Sequence, residues 1–145
     1  MTTDISGQKS NQTYHVFVYG TLKSGESNHE HHLSGASFVG KAVTSGQYVM
    51  HDNGGFPVCF TQGDKPVAGE VYEISGQQLL GLDRLEGHPR YFKREEVEVN
   101  IDDPIPLGKR TVWMYFGVPK VWQTSIDAGL PRAPVTEGVY TWSRQ

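Results

Sequence analysis

The stretch His15-Val16-Phe17-Val18-Tyr19-Gly20-Thr21-Leu22-Lys23 sets the fold of this 145-residue chain. Its apolar run, β-branched and aromatic by turns, predicts a buried strand, and Gly20 ends that strand in a polar loop running to Asn28. A glycine at this point can take positive φ, and without a Cβ it lets a ligand come close to the peptide N–H groups that follow. Such groups suit a small anion such as a carboxylate, so the loop is expected to floor a pocket. A plain connecting turn is the alternative. Gly20 and Gly25 also have the glycine spacing of a phosphate-binding loop, but Glu26 stands where that loop needs a lysine, and its charge would repel a nucleotide.

Outward from this stretch, composition narrows the classes. The net charge of -3 leaves no footprint for nucleic acid or an anionic membrane. No apolar run approaches the ~20 residues that a membrane span requires. A single cysteine, Cys59, excludes an internal disulfide framework and fits a reducing, cytoplasmic setting. Residues 1–13 are polar and aperiodic and read as a flexible leader, with 14–145 as one domain large enough for its own core. The alternating strands present no obvious apolar patch, so a monomer is expected.

Along the chain, Asn28 is expected to cap a short helix through Leu33. Ala36 to Met50 is a strand region punctuated by glycines, which suggests a sheet that bends or closes. A turn at Asp52-Asn53-Gly54-Gly55 precedes a short strand, Phe56 to Phe60, that Pro57 pushes toward an edge or a pocket rim. Strands follow at Val67–Ile74, Tyr91–Ile101 and Arg110–Phe116, and a last apolar run at Val139–Trp142. Alternation in Arg110–Phe116 is expected to turn either Trp113 or Tyr115, not both, toward the interior. Between the strands, Ser75 with Gln78 forms a capping box, and Gly87 sits where a left-handed C-cap belongs, so one good helix is predicted over QQLLGLDRLE. About six strands with one or two helices predict an α+β fold: a small closed or strongly curved mixed sheet with flanking helices.

Glu86 is the sharpest chemical signal outside the loop. It follows Leu79 and Leu82 on one helical stripe at i, i+3 and i+7, in the last turn. Desolvation on an inward face, the negative end of the helix dipole and repulsion from Asp83 would all raise its pKa, as general acid–base work near neutral pH requires. A glutamate that reaches solvent at the stripe's end is the bland alternative. His29, His31 and His32 begin like a zinc-protease helix, but Leu33 replaces the second histidine and no cysteine or aspartate cluster supports a metal site. Cys59 in an apolar strand reads as packing. No G-x-S-x-G elbow is present.

The order and spacing of VFVYGTLKSGESNH, FPV, VAGEVYEI and LLGLDRLEGHPRYFKREEVEV resemble the gamma-glutamylcyclotransferase-like superfamily, and within it the gamma-glutamylamine cyclotransferases. The likeness runs from about His15 to Tyr115. It implies that Tyr19, Gly20, Thr21 and Leu22 form the substrate-binding turn and that Glu86 is the catalytic glutamate; Tyr115, which by pattern reads as an ordinary strand residue, is also expected to contact substrate. It further implies an intramolecular reaction, in which the free α-amine of a γ-glutamyl group closes on its own γ-carbonyl to give 5-oxoproline and a free amine. Such a reaction needs no cofactor or metal, only a small-molecule γ-glutamyl substrate. The leaving-group side of the pocket is expected to come from His51–Pro57 and from a flap over Gln123–Thr136. A binding module that kept the fold without the activity is the alternative, and removal of a γ-glutamyl group from a larger amine is a third reading.

Overall fold

The computed structural model describes residues 12–143; the predicted leader falls mostly outside them. The first strand, β1 (Thr13–Val18), is joined by β2 (Ser37–Thr44), β5 (Ala68–Ser75), β6 (Phe92–Asp103) and β7 (Gly108–Gly117) in a closed barrel of order β1-β5-β2-β6-β7. The sheet is mixed. Its neighbours are antiparallel except at the closure, where Val16 and Phe17 pair in parallel with Trp113 and Met114. Val16, Phe17 and Val18 are all buried, so β1 is covered on both faces, which is why it reads as an unbroken apolar run. The predicted bend appears in β2 as two register shifts, between Phe38 and Gly40 against β5 and between Lys41 and Ala42 against β6. An extra residue on one strand increases local twist, and twist is what lets five strands close.

Two elements lie outside the barrel. Strands β3 (Tyr48–Asp52) and β4 (Pro57–Lys65) form a hairpin through the expected Asp52–Gly55 turn, and β4 is longer than the five residues anticipated. The small pair β8 (Val135–Thr136) and β9 (Val139–Tyr140) closes the chain. The closed mixed sheet holds five strands against the about six expected, and the described residues contain nine strands in all. None of the described helices is long and apolar enough to cross a membrane.

The helices are α1 (His29–Leu33), α2 (Gly76–Glu86) and α3 (Pro119–Asp127). Helix α2 has the boundaries its signals predict. Ser75 Oγ accepts from the Gln78 N–H at 3.1 Å, the Gln78 side chain accepts from the Ser75 N–H at 3.0 Å, and Gly87 ends the helix with φ of 66°. Such a reciprocal cap contributes roughly 1 kcal/mol. Leu79 and Leu82 seat it on the barrel. Helix α1 begins after Asn28, but the Asn28 side chain makes no cap bond. Helix α3 was not anticipated. Its sequence signal is Pro119 in the first turn, where the missing N–H costs nothing. The expected flap over Gln123–Thr136 is therefore divided: its first part is helical, and its second runs beside β3, where the N–H of Ala133 meets Met50 O at 2.9 Å.

Candidate active site

The end of β1, the β3–β4 turn and the end of α2 converge on a cavity of about 310 Å³. Tyr19, Gly20, Thr21 and Leu22 line one side, Gly55, Phe56 and Pro57 another, and Leu85, Glu86, Phe92 and Tyr115 the rest. All six residues singled out from the sequence and the resemblance thus meet at one cavity. From the regions expected on the leaving-group side, Gly55–Pro57 contribute and Gln123–Thr136 do not. Trp122 of α3 instead braces the wall from behind, with its ring 6.1 Å from that of Phe56 and 5.7 Å from that of Phe92.

The loop is a shaped turn. Lys23 N–H donates to Gly20 O at 3.0 Å, and Asn28 N–H to Thr21 O at 2.8 Å. The Asn28 amide, free of capping duty, donates to Thr21 Oγ1 at 2.8 Å. His29 donates from Nδ1 to Leu22 O at 2.9 Å and packs on the Tyr72 ring, so this histidine of the HEHH run braces the turn. The N–H groups of Thr21 and Leu22 make no hydrogen bond among the described residues. Two such adjacent donors on a concave wall suit a carboxylate.

Gly20 is required for a reason other than the one anticipated. Its φ is not in the positive range. A Cβ at Gly20 would lie 2.7 Å from Cδ and 2.8 Å from Cγ of Pro57, so the glycine allows two walls of the cavity to touch. Gly20→Ala is expected to push the Pro57 ring aside and lower kcat/KM by about 10- to 100-fold, the scale of an ångström-sized misplacement. Adding Pro57→Ala should restore much of the loss, and steady-state kinetics of the two variants checks both statements.

Glu86 closes α2 facing the cavity, and its carboxyl has no hydrogen-bond partner among the described residues. Loss of water raises its pKa from 4.5 to about 7. Asp83 does not add the anticipated repulsion. Its carboxylate receives Arg94 at both oxygens, Nε to Oδ1 at 2.8 Å and Nη2 to Oδ2 at 3.2 Å, while Tyr115 donates its hydroxyl to Oδ1 at 2.5 Å. Burial alone would raise the Asp83 carboxyl, but these bonds outweigh it and hold the group below the usual carboxylate range.

The same network fixes both tyrosines. Tyr19 donates its hydroxyl to Tyr115 O at 2.7 Å and accepts the Cys59 N–H at 3.3 Å. Burial keeps the phenols of Tyr19 and Tyr115 well above their ordinary pKa, and the Glu86 charge raises each further. Burial likewise raises the Cys59 thiol, which stays neutral. The expectation that Trp113 and Tyr115 part ways fails, because residues two apart in a strand share a face. Tyr115 bonds Asp83 there, and Arg94, paired to the same Asp83, stacks 4.4 Å from the Trp113 ring centroid. Asp83 and Arg94 were not singled out as a pair. The helix–strand spacing that joins them carries no local signal.

The family model described as "Gamma-glutamyl cyclotransferase, AIG2-like" matches residues 16–138, a longer span than the resemblance from His15 to Tyr115. A Methanocaldococcus jannaschii protein whose name proposes a gamma-glutamylcyclotransferase is 39% identical over 103 residues, 70% of this chain and 82% of that protein. The gamma-glutamylaminecyclotransferase of Rattus norvegicus is 36% identical over 95 residues, 60% of this chain and 64% of the rat protein. Among solved structures, an AIG2-like protein from Mus musculus superposes with a TM-score of 0.71 at 26% identity, covering 93% of this chain and 99% of that one. This chain belongs to the gamma-glutamyl cyclotransferase, AIG2-like family, as an enzyme of the gamma-glutamylcyclotransferase type.

Proposed function

We propose that this chain converts a γ-glutamyl amine to 5-oxoproline and the free amine, with Glu86 as base and then acid. One observation carries the reading: a carboxyl group with its pKa raised to about 7 faces, without a partner, a cavity floored by open peptide N–H groups. The N–H groups of Thr21 and Leu22 would hold the substrate α-carboxylate, with Tyr19, Gly20 and Tyr115 shaping the pocket around it. Glu86 takes a proton from the α-ammonium. The freed amine attacks the γ-carbonyl carbon and forms the ring C–N bond. As the bond to the leaving nitrogen breaks, Glu86 returns the proton to it; the second proton, shed by the ring nitrogen on closure, then passes through the freed Glu86 carboxylate to the released amine, which departs as an ammonium, so atoms and charge balance without a co-reactant. An intramolecular nucleophile already has an effective molarity of about 10⁵–10⁸ M, so the protein's tasks are to orient the glutamyl chain and to pass protons from the attacking nitrogen to the leaving one.

The proposal places the activity in a single domain over 14–145, acting as a monomer on a small molecule in the cytoplasm. Purified protein incubated with γ-glutamyl-ε-lysine, simpler γ-glutamyl amines and γ-glutamyl dipeptides is expected to release 5-oxoproline and an equal amount of amine, read by mass spectrometry. No 5-oxoproline from any member of the panel would overturn the proposal in favour of a binding module.

A further inference from the structure

We propose that Trp142 is a positioning residue that ties the carboxylate-binding turn to the opposite wall of the cavity. It lies beyond residues 16–138 matched by the family model and does not line the cavity. It is nevertheless 3% exposed, and two of its polar groups, the backbone carbonyl and the indole N–H, bond to different parts of the chain. The Trp142 carbonyl accepts the Lys23 ammonium. The Trp142 indole donates from Nε1 to Asp52 Oδ1 at 3.2 Å.

Each partner anchors one wall. Lys23 closes the turn that begins at Gly20, through its own N–H to Gly20 O at 3.0 Å. Asp52 opens the β3–β4 turn, where the same Oδ1 accepts the Gly54 N–H at 2.8 Å and Asn53 N–H meets Phe56 O at 2.9 Å. That turn delivers Gly55, Phe56 and Pro57 to the cavity. These two walls are the ones that Gly20 and Pro57 bring into near contact, so a small shift of either changes the gap in which a substrate is held. Trp142 is itself held in place by the strap before it, with Tyr140 N–H on Pro66 O and Thr141 N–H on Pro134 O, both at 3.0 Å. A buried residue bonded once to each wall sets their separation.

The inference rests on the proposed function for its kinetic consequence but not for its structural one, and the test separates the two. Hydrogen exchange by mass spectrometry is compared for wild type, Lys23→Met, Trp142→Phe and the double variant. Lys23→Met is expected to speed exchange in Gly20–Lys23, Trp142→Phe in Asp52–Pro57, and the double variant in both, with the barrel strands unchanged. In turnover of γ-glutamyl amides, Lys23→Met should raise KM by about five- to tenfold for every substrate, the scale of one weakened charged hydrogen bond. Trp142→Phe should instead change the ranking of leaving amines, and both variants should keep the wild-type pH profile, since Glu86 is untouched. If neither turn changes, or if exchange rises throughout the barrel, the positioning role is overturned. Absence of turnover in wild type counts against the proposed function alone, because the exchange measurement needs no substrate.

Discussion

Glu86→Gln is expected to lower kcat by about 10²–10⁴, the usual worth of a positioned acid–base group, while leaving KM nearly unchanged. Glutamine keeps the shape of the side chain and lacks only the transferable proton, and the turn at Thr21 and Leu22 that would hold the carboxylate is not disturbed. In the wild type, kcat/KM should fall on the acid side with an apparent pKa near the value of about 7 to which burial raises this carboxyl. The ammonium of the substrate governs the alkaline side.

The same substitution should make the protein more stable, and the pH dependence of that gain identifies its cause. A carboxyl whose pKa is higher in the folded than in the unfolded state contributes fully below its unfolded value and loses that contribution as pH rises through the folded one. For Glu86 the window runs from 4.5 to about 7. Above it, wild type carries the penalty of a desolvated charge, of the order of 3 kcal/mol, which Gln does not have. Denaturant titrations should therefore find Glu86→Gln more stable than wild type at pH 8 and equal to it at pH 4. An active, unstabilised Glu86→Gln variant would remove the assignment of Glu86 on both counts.

Asp83→Ala is expected to be the most destabilising change near the site, by about 3 kcal/mol or more. It strips the carboxylate from the Arg94 guanidinium, whose side chain is only 19% exposed, and leaves the Tyr115 hydroxyl without its acceptor. Removing one partner of a poorly solvated pair costs more than the pair contributes, because the remaining charge has lost its water as well. Asp83→Asn keeps the volume and one acceptor for Tyr115, so it should lose less. The pH sign is opposite to that of Glu86. The Asp83 carboxyl is held below its ordinary value, so its contribution is present above the unfolded pKa and is lost as pH falls through the folded one. Equilibrium unfolding followed from pH 7 downward should show wild type losing stability below about pH 4, toward the Asp83→Ala level.

Local signals alone determined a good part of this protein. The buried β1 run, the capping box at Ser75 and Gln78, the glycine at position 87 and the stripe of Leu79, Leu82 and Glu86 each express a backbone or period preference that acts within a few residues. They sufficed for a strand ending in a loop and for one helix with its ends, and they left Glu86 either on that helix's inner stripe or reaching solvent at its end. The pairing of those pieces into a likeness then brought Tyr19, Thr21, Leu22, Tyr115 and Glu86 together as a set.

Tertiary structure decided what depends on contacts between distant residues. The need for Gly20 came from the Pro57 ring across the cavity, not from backbone conformation. The pKa of Glu86 came from loss of water, while Asp83, one turn earlier on α2, had its charge answered by Arg94 from strand β6. Helix α3 carries an amphipathic pattern in Val121, Trp122 and Ile126 besides Pro119, but those side chains stay partly exposed, and an expectation of a flap over the same residues passes over it. Hydrophobic periodicity reports which face of an element is covered. The partner that covers it, and the charge or ring placed there, are set by closure of the barrel.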